Sequence, residues 1–157
     1  MPSPVGHALG GAIVSVAIGA LGTSGVIAAA VAAVAPDLDF LWGRHSQETH
    51  SIGAAILTGL VVLAWKRQPR LAIVVTLAWT SHIVFDWLGS DTTPPLGVMA
   101  LWPLSRDYYF ADAFVFEAIT RRYWLDNFIS HNVWAVTKEV LMLAPILALV
   151  WKVRSRR

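Results

Sequence analysis

The absence of charge in the first part of the chain is the strongest constraint on the fold. From Met1 to Pro36 there is no Asp, Glu, Lys or Arg, and only 14% of the 157 residues are charged. A soluble domain covers its surface with charged residues at roughly 25% of its sequence. Together with a hydrophobic content of 56%, this deficit predicts an integral membrane protein whose surface faces lipid.

Net charge and cysteine content exclude several kinds of partner. The net charge is only +2, and the basic residues do not alternate with aromatic residues along one face, so we expect no nucleic-acid partner. The chain has no cysteine, which rules out disulfides and thiolate ligands. Any bound metal must therefore be held by nitrogen and oxygen ligands.

Five apolar stretches predict an all-α fold, a multi-pass transmembrane helical bundle of about five helices, some of them short. The stretches are Val5–Leu21, Val26–Ala35, Ile52–Trp65, Leu71–Leu88 and Val133–Val153. A helix needs about 20 residues to cross the bilayer core, and roughly 17 at the least. The last two stretches meet this requirement comfortably. The second and third are short enough to tilt or to be partly re-entrant.

The segment Gly22–Gly25 separates the first two stretches, and we expect it to form a turn that joins two short helices in a hairpin. The alternative is a single helix from Val5 to Ala35. The sequence Ala33–Ala35 resembles a signal-peptidase site. However, no basic region precedes the apolar stretch and Pro36 would follow the cut, so we expect the segment to be retained.

The segment Gly89–Asn132 mixes aromatic residues with charges. This composition suits a membrane interface, where aromatic rings lie at the depth of the lipid headgroups. A packed cap outside the membrane is a compatible interpretation. We therefore expect one integral membrane domain over residues 1–157, in which residues 89–132 form an interfacial, extracytoplasmic segment.

Basic residues predict the orientation, because basic loops stay in the cytoplasm. Seven of the twelve basic residues and none of the ten acidic ones lie in the loop Lys66–Arg70 and the tail Lys152–Arg157. We expect both to be cytoplasmic, which places Pro36–Ser51 and Gly89–Asn132 outside. Arginines in these outer segments, among them Arg44, Arg121 and Arg122, run against the rule.

His82 and Asp86 are the sharpest pair of candidate ligands. They lie four residues apart in an apolar stretch, so their side chains leave the same helix face one turn apart. Ionisable residues in a membrane segment are costly and usually mark a functional site, and imidazole with carboxylate suits a divalent metal. The alternative is a His–Asp hydrogen bond that only holds neighbouring helices together.

Other His and Asp residues occupy the same predicted side. Asp37 and Asp39 follow the second stretch, His50 precedes the third, and His7 lies at the start of the first. Each has an ordinary interpretation when taken alone, as a cap, a turn residue or an interfacial side chain. The joint pattern favours a metal site, because an orientation derived without the histidines still places all five of them on the outer side.

An ordered set of motifs resembles the LexA-regulated, membrane-bound metal-dependent hydrolase family, the YdjM-like proteins. The motifs are Pro36–Asp39, Arg44 with Thr49–Ser51, Ser81–His82 with Asp86, and Gly97 with Leu101–Ser105. The resemblance implies a multi-pass protein of the bacterial inner membrane with hydrolase activity.

A more distant similarity is to zinc-dependent phospholipase C, which holds zinc with an Asp, a His and a His-x-x-x-Asp pair near an early His. Asp37, His50, His82 and Asp86 follow that order, and His7 matches the early His. The further His-x-x-x-His-x-x-x-Glu element of that enzyme is absent from the chain. We therefore expect one or two metal ions instead of three.

The predicted metal ligands share imidazole or carboxylate groups on the outer side of the membrane: His7, Asp37, His50, His82 and Asp86. Zinc is the expected ion, because it accepts nitrogen and oxygen ligands together. Bound zinc acidifies water and polarises a phosphoryl or acyl oxygen, which is the chemistry of a hydrolase. His7 and Asp39 are also candidates for a second ion or for contacts to the first ligands.

Three residues are candidates for catalysis. Asp39 and Glu48 are the candidate general bases, and Arg44 can hold a phosphate through its bidentate fork. A solvated loop pair is the alternative interpretation of Arg44 and Glu48. A site at headgroup depth predicts membrane lipids as partners and a phospholipid or other lipid-linked phosphoester as the substrate.

The main rival function is metal-ion binding or transport by the same His and Asp residues. The predicted ligands cluster at one membrane face instead of following a route across it, which favours the hydrolase. A purely structural metal is a third interpretation. The sequence makes no prediction of the oligomeric state.

Overall fold

The structure is a computed structural model, and it describes residues 1–19, 22–42, 45–91, 94–112 and 114–156. It contains five α-helices: α1 (Pro4–Ala17), α2 (Gly22–Val34), α3 (Ile52–Lys66), α4 (Pro69–Trp87) and α5 (Phe128–Arg154). Two 3-10 helices lie between α2 and α3, the first at Ala35–Trp42 and the second at Glu48–His50. No β-strand occurs among the described residues. The prediction of an all-α fold with about five helices is confirmed.

Side-chain caps fix where two of the helices begin. The Oγ atom of Ser3 accepts a hydrogen bond from the Gly6 N–H at 3.2 Å, and Pro4 occupies the first position of α1, where its fixed φ suits a helix start. Ser51 caps α3 in the same way, because its Oγ atom accepts from the Ala54 N–H at 3.0 Å. Both helices therefore begin beside a predicted metal ligand.

Helices α1 and α2 pack against each other as the predicted hairpin, but the turn lies earlier than predicted. The segment Gly22–Gly25 forms the first turn of α2, and the positive φ angles of Gly19 and Gly22 mark the reversal. Glycine adopts this left-handed region without the clash that a Cβ atom brings. The two helices approach closely, since a Cβ at Gly11 would overlap the carbonyl of Ala29.

Helix α4 is central. It packs against α1, α2 and α3, whereas α5 packs against α1. The core between α2 and α4 consists of small and β-branched side chains: Ala29, Ala32, Ala33, Val74, Val75 and Ala78. Small residues let helix backbones come close, which is how helices associate inside membranes. This position of α4 places His82 and Asp86 within the bundle.

Among the described residues, two segments are long and apolar enough to cross a membrane. They are Gly22–Leu41, which joins α2 to the first 3-10 helix, and Phe128–Arg154, which is α5. Only 33% of the first and 17% of the second is buried, so neither resembles the core helix of a soluble protein. Helices α1 and α3 are apolar but shorter. The fourth apolar stretch was predicted to be a comfortable span. Its helix, α4, is not one of the two segments, because Thr, Ser, His and Asp side chains interrupt its apolar sequence.

The segment between α4 and α5 is irregular and folds back over one end of the bundle. An isolated bridge pairs Gly89 with Phe116, and the Ile52 N–H at the start of α3 donates to the Ala100 carbonyl at 2.9 Å. Helix α5 begins at Phe128, more than one turn earlier than predicted. The interfacial location of the segment stays a prediction.

Candidate metal centre

Helix α4 contributes a buried His–Asp pair. His82 is 0% exposed and Asp86 is 1% exposed, and their side chains leave one helix face a turn apart. The Nε2 atom of His82 lies 3.0 Å from the Oδ2 atom of Asp86. The spacing of four residues therefore brings the two groups together as predicted.

The two 3-10 helices bring a carboxylate and an imidazole to the same place. The Nε2 atom of His50 lies 3.2 Å from Asp86 Oδ2 and 3.7 Å from Asp37 Oδ1. The Nε2 atom of His82 lies 3.8 Å from the same Asp37 oxygen. The ligand atoms of these four residues all lie within 4.8 Å of one another, so the group could hold a metal ion.

Helix α1 adds His7, the fifth predicted ligand. Its Nε2 atom lies 3.3 Å from Asp86 Oδ1, and its ring stacks on that of His82 with 3.8 Å between the centroids. His7 is 1% exposed. The hairpin is what makes this possible, since it returns the end of α2 to the side where α1 begins. All five predicted ligands are thus brought together.

Buried polar atoms in this group lack hydrogen-bond partners. They are both ring nitrogens of His7, the Nε2 atoms of His50 and His82, and both carboxylate oxygens of Asp86. A buried polar group without a partner costs about 1–3 kcal/mol, and native proteins satisfy nearly all such groups. The unsatisfied atoms belong to residues of the group that could hold a metal ion, together with the neighbouring His7.

The distances within the group fit a metal ion. Two ligands at about 2.1 Å from a tetrahedral zinc ion are about 3.4 Å apart. The observed nitrogen–oxygen separations run from 3.0 Å to 3.8 Å. The contact between His82 and Asp86 also lacks the geometry of a hydrogen bond, which counts against the alternative that this pair only holds helices together.

Hydrogen bonds on the far side of two imidazoles fix which nitrogen faces the group. The Nδ1 atom of His82 donates to the Ala33 carbonyl at 2.7 Å, so its Nε2 lone pair points at Asp86. The Nδ1 atom of His50 lies 3.0 Å from the Thr49 hydroxyl and 3.2 Å from the Oδ2 atom of Asp39, which leaves its Nε2 atom for the group. Metal-binding histidines almost always have such a partner for the other ring nitrogen.

Asp39 lies next to the group, and its two oxygens are already occupied. Its Oδ1 atom accepts from His45 Nδ1 at 2.9 Å. Its Oδ2 atom accepts from the Thr49 hydroxyl at 2.8 Å and from the Ser46 N–H at 3.2 Å. Asp39, His45 and His50 are also close enough together to hold a metal ion, but the hydrogen bonds to Asp39 describe a residue that orients its neighbours.

Negative charge surrounds His50. Burial lowers the pKa of this imidazole, but three nearby carboxylates outweigh that effect and raise the pKa well above its usual value. The carboxylates are those of Asp37, Asp39 and Asp86. The group therefore attracts a cation, and a proton on His50 competes with a metal for that role.

Glu48 and Arg44 are the other two residues predicted for catalysis. Glu48 begins the second 3-10 helix and is half-buried. Its backbone carbonyl accepts from the Ser51 hydroxyl at 2.6 Å, and its side chain belongs to neither metal-binding group within the described ranges. Arg44 lies outside the described residues.

A cavity of about 680 Å³ adjoins the metal group. Polar and aromatic residues in its wall include Asp37, Phe40, His45, Arg121 and Arg122. Asp37 belongs to both the cavity wall and the metal group, so a molecule in the cavity meets the group at Asp37.

Glu139 is a buried residue of α5 that was not predicted to have a role. It is 1% exposed, accepts from the Ser3 N–H at 2.7 Å and also bonds the Ser3 hydroxyl. These bonds anchor the start of α1, four residues before His7. An acidic residue in an apolar stretch was the available signal, since such residues are costly in membrane helices.

A family match covers the whole chain. The family described as YdjM inner membrane protein matches residues 1–157. No curated protein and no solved structure matches the chain. The family match therefore includes every residue of the metal group and of the cavity wall.

Proposed function

This chain belongs to the YdjM inner membrane protein family, and from that premise we propose that it is a multi-pass membrane protein that binds zinc and hydrolyses a lipid-linked phosphoester. One observation carries the proposal: buried imidazole and carboxylate atoms without hydrogen bonds converge on one point. The adjoining cavity supports catalysis over a purely structural metal, because it gives a substrate access to Asp37.

Zinc is the ion that the donor set favours. Three imidazoles and two carboxylates suit zinc and neighbouring transition metals, whereas magnesium and calcium prefer oxygen ligands throughout. We assign the ion to Asp37, His50, His82 and Asp86, which form one compact group. Of the two carboxylates in that group, Asp86 is the one that lies near His7. We therefore assign His7 to orient water or to bind a second ion.

A zinc ion held there would acidify water and polarise a phosphoryl oxygen. The chain itself supplies proton transfer. His45 lies in the cavity wall and its Nδ1 atom donates to Asp39, while its Nε2 atom lies 3.0 Å from the sulfur of Met1. We assign His45 Nε2 to take the proton from water and Asp39 to hold the ring. Glu48 stays a predicted alternative base.

The surroundings support a lipid substrate. Tyr123 and Trp124 follow the cavity residues Arg121 and Arg122 and are 77% and 66% exposed, as suits aromatic side chains at the headgroup level. The outward faces of α3 and α5 are also apolar, with exposed side chains such as Leu57 and Leu141. A substrate that resides in the bilayer reaches such a cavity without crossing open water.

The site is proposed to face the extracytoplasmic side. The end of α5 lies beside the end of α1, because the Arg154 Nε–H donates to the Ala17 carbonyl at 2.8 Å. His7 is at the other end of α1, so the basic tail and the metal group lie at opposite ends of this helix. By the preference of basic segments for the cytoplasm, the C-terminus is inside and the metal group outside.

Metal-dependent hydrolysis is the direct test. We expect purified protein with zinc to hydrolyse dispersed phospholipid or a chromogenic phosphodiester, to lose this activity on chelation, and to regain it on zinc addition. Hydrolysis that survives chelation would remove the metal mechanism. Zinc uptake into proteoliposomes without any hydrolysis would favour the rival transport function.

Asp39→Asn tests the assignment of Asp39 as an orienting residue. The amide keeps the size of the side chain but cannot accept from both His45 and His50 as the carboxylate does, so we expect zinc affinity to fall about 10- to 100-fold. The amount bound at saturation should not change. Competition with a chromogenic chelator measures both quantities.

Asp107→Asn is the matched control, because Asp107 is exposed and bonds with nearby Ser105. A lower zinc stoichiometry at saturation in Asp39→Asn would instead make Asp39 a ligand of a second ion. Unchanged affinity would contradict the orienting role.

A further inference from the structure

Arg121 is a cation in the wall of the cavity that adjoins the metal group. Ion pairs among the described residues join other side chains, and none of them includes Arg121. Partial burial lowers its pKa, while Asp37 and Asp39 act to raise it. The guanidinium therefore lies close enough to the metal group for these carboxylates to influence it electrostatically, although it forms no direct ion pair with them.

An aromatic ring holds this guanidinium in place. Its central carbon lies 3.4 Å from the centroid of the Phe40 ring. Stacking occupies the flat face of a guanidinium and leaves the N–H donors in its plane for an anion. The ring of Phe40 also stacks on His45 at 3.8 Å, so the position of Arg121 is linked to the proposed proton-transfer residue.

The backbone before Arg121 is fixed to α5. Asn132 binds Thr120 twice: its Oδ1 atom accepts from the Thr120 N–H at 2.8 Å, and its Nδ2 atom donates to the Thr120 carbonyl at 2.9 Å. The Ser90 hydroxyl oxygen also accepts from the Ala118 N–H at 2.8 Å. These bonds hold the segment at the edge of the cavity before any substrate binds, which reduces the entropy lost on binding.

We propose that Arg121 binds the phosphate group of the substrate and thereby selects an anionic phosphoester headgroup. This inference rests on the proposed hydrolase function and adds to it the residue that recognises the substrate. A guanidinium binds phosphate through two parallel charge-assisted hydrogen bonds. With the phosphate held between Arg121 and the metal group, the phosphorus atom lies next to Asp37 and to His45, which share the cavity wall with Arg121.

Phosphate binding tests the inference without any need for turnover. Zinc-loaded protein in detergent is titrated with inorganic phosphate by calorimetry, and then with mixed micelles that contain either phosphatidic acid or diacylglycerol. We expect Arg121→Ala to weaken binding of phosphate and of phosphatidic acid at least about tenfold. Arg121→Lys should recover part of the loss, because it keeps the charge but not the fork. Diacylglycerol micelles should show no such difference.

Arg106→Ala is the matched control, since Arg106 is exposed and does not line the cavity. Zinc content is measured in every variant to exclude an indirect effect. Equal phosphate binding by the wild type and Arg121→Ala, or no binding by the wild type, would overturn the inference even if hydrolysis is observed. Arg121-dependent phosphate binding in a protein that hydrolyses no phosphoester would contradict the proposed function but would still support the anion site.

Discussion

His82→Ala and Asp86→Asn are each expected to remove the bound zinc and to reduce phosphoester hydrolysis by more than about a hundredfold. That loss exceeds the 10- to 100-fold effect typical of a residue that only supports a ligand. The reason is the central position of Asp86, whose oxygens lie within 3.3 Å of the Nε2 atoms of His7, His50 and His82. Zinc per protein by mass spectrometry and the rate of hydrolysis are the two measurements.

His131→Ala is the control for zinc content. It also removes one imidazole, but His131 binds the Ala118 carbonyl and belongs to neither metal-binding group in the described part of the chain. It should keep its zinc. Helical content by circular dichroism and elution from a sizing column confirm that the variants fold. A folded His82→Ala protein with a full complement of zinc would contradict the assignment.

Local sequence patterns were sufficient to predict the helices and the first pair of ligands. The five apolar stretches predicted five helices in the correct order, because an apolar segment satisfies its backbone hydrogen bonds internally as a helix. The spacing of four residues between His82 and Asp86 fixed their common face. Both properties are local, so they can be read without knowledge of how the helices pack.

The turn and the spans depend on packing and were placed less well. Either Gly19 or the Gly22–Gly25 segment could supply the reversal, and the sequence alone does not choose between them. In the structure the reversal uses a glycine from each, because Gly19 and Gly22 both have positive φ angles. Likewise, the second stretch becomes long enough to span because the first 3-10 helix extends it to Leu41.

The residues around the ligands were the hardest to predict. Asp39 accepts from His45 and Thr49, and these contacts follow from the path of the chain between the two 3-10 helices, which has no periodic pattern. Arg121 reaches the cavity from a segment more than eighty residues after Asp37. A basic residue so far along the chain looks like part of a solvated loop until the fold returns it to the site.

His7→Ala is expected to reduce phosphoester hydrolysis by about a hundredfold or more, the range of a lost acid–base or water-orienting group, while much of the zinc remains. Asp37, His50, His82 and Asp86 form a complete group without His7. The imidazole of His7 is buried, and both of its ring nitrogens lack hydrogen-bond partners. It is therefore placed to orient water at the coordination position that a catalytic zinc ion keeps open.

A second variant separates this role from packing. His7 also stacks on His82, so alanine would leave a void; His7→Gln keeps most of the volume but not the ring nitrogens. If His7 only fills space, His7→Gln should restore hydrolysis, whereas a chemical role predicts that both variants stay slow with zinc still bound. Zinc content and rate are measured together on each. Loss of zinc along with activity would make His7 a ligand of the ion, and unchanged rate and zinc in His7→Ala would remove it from the site.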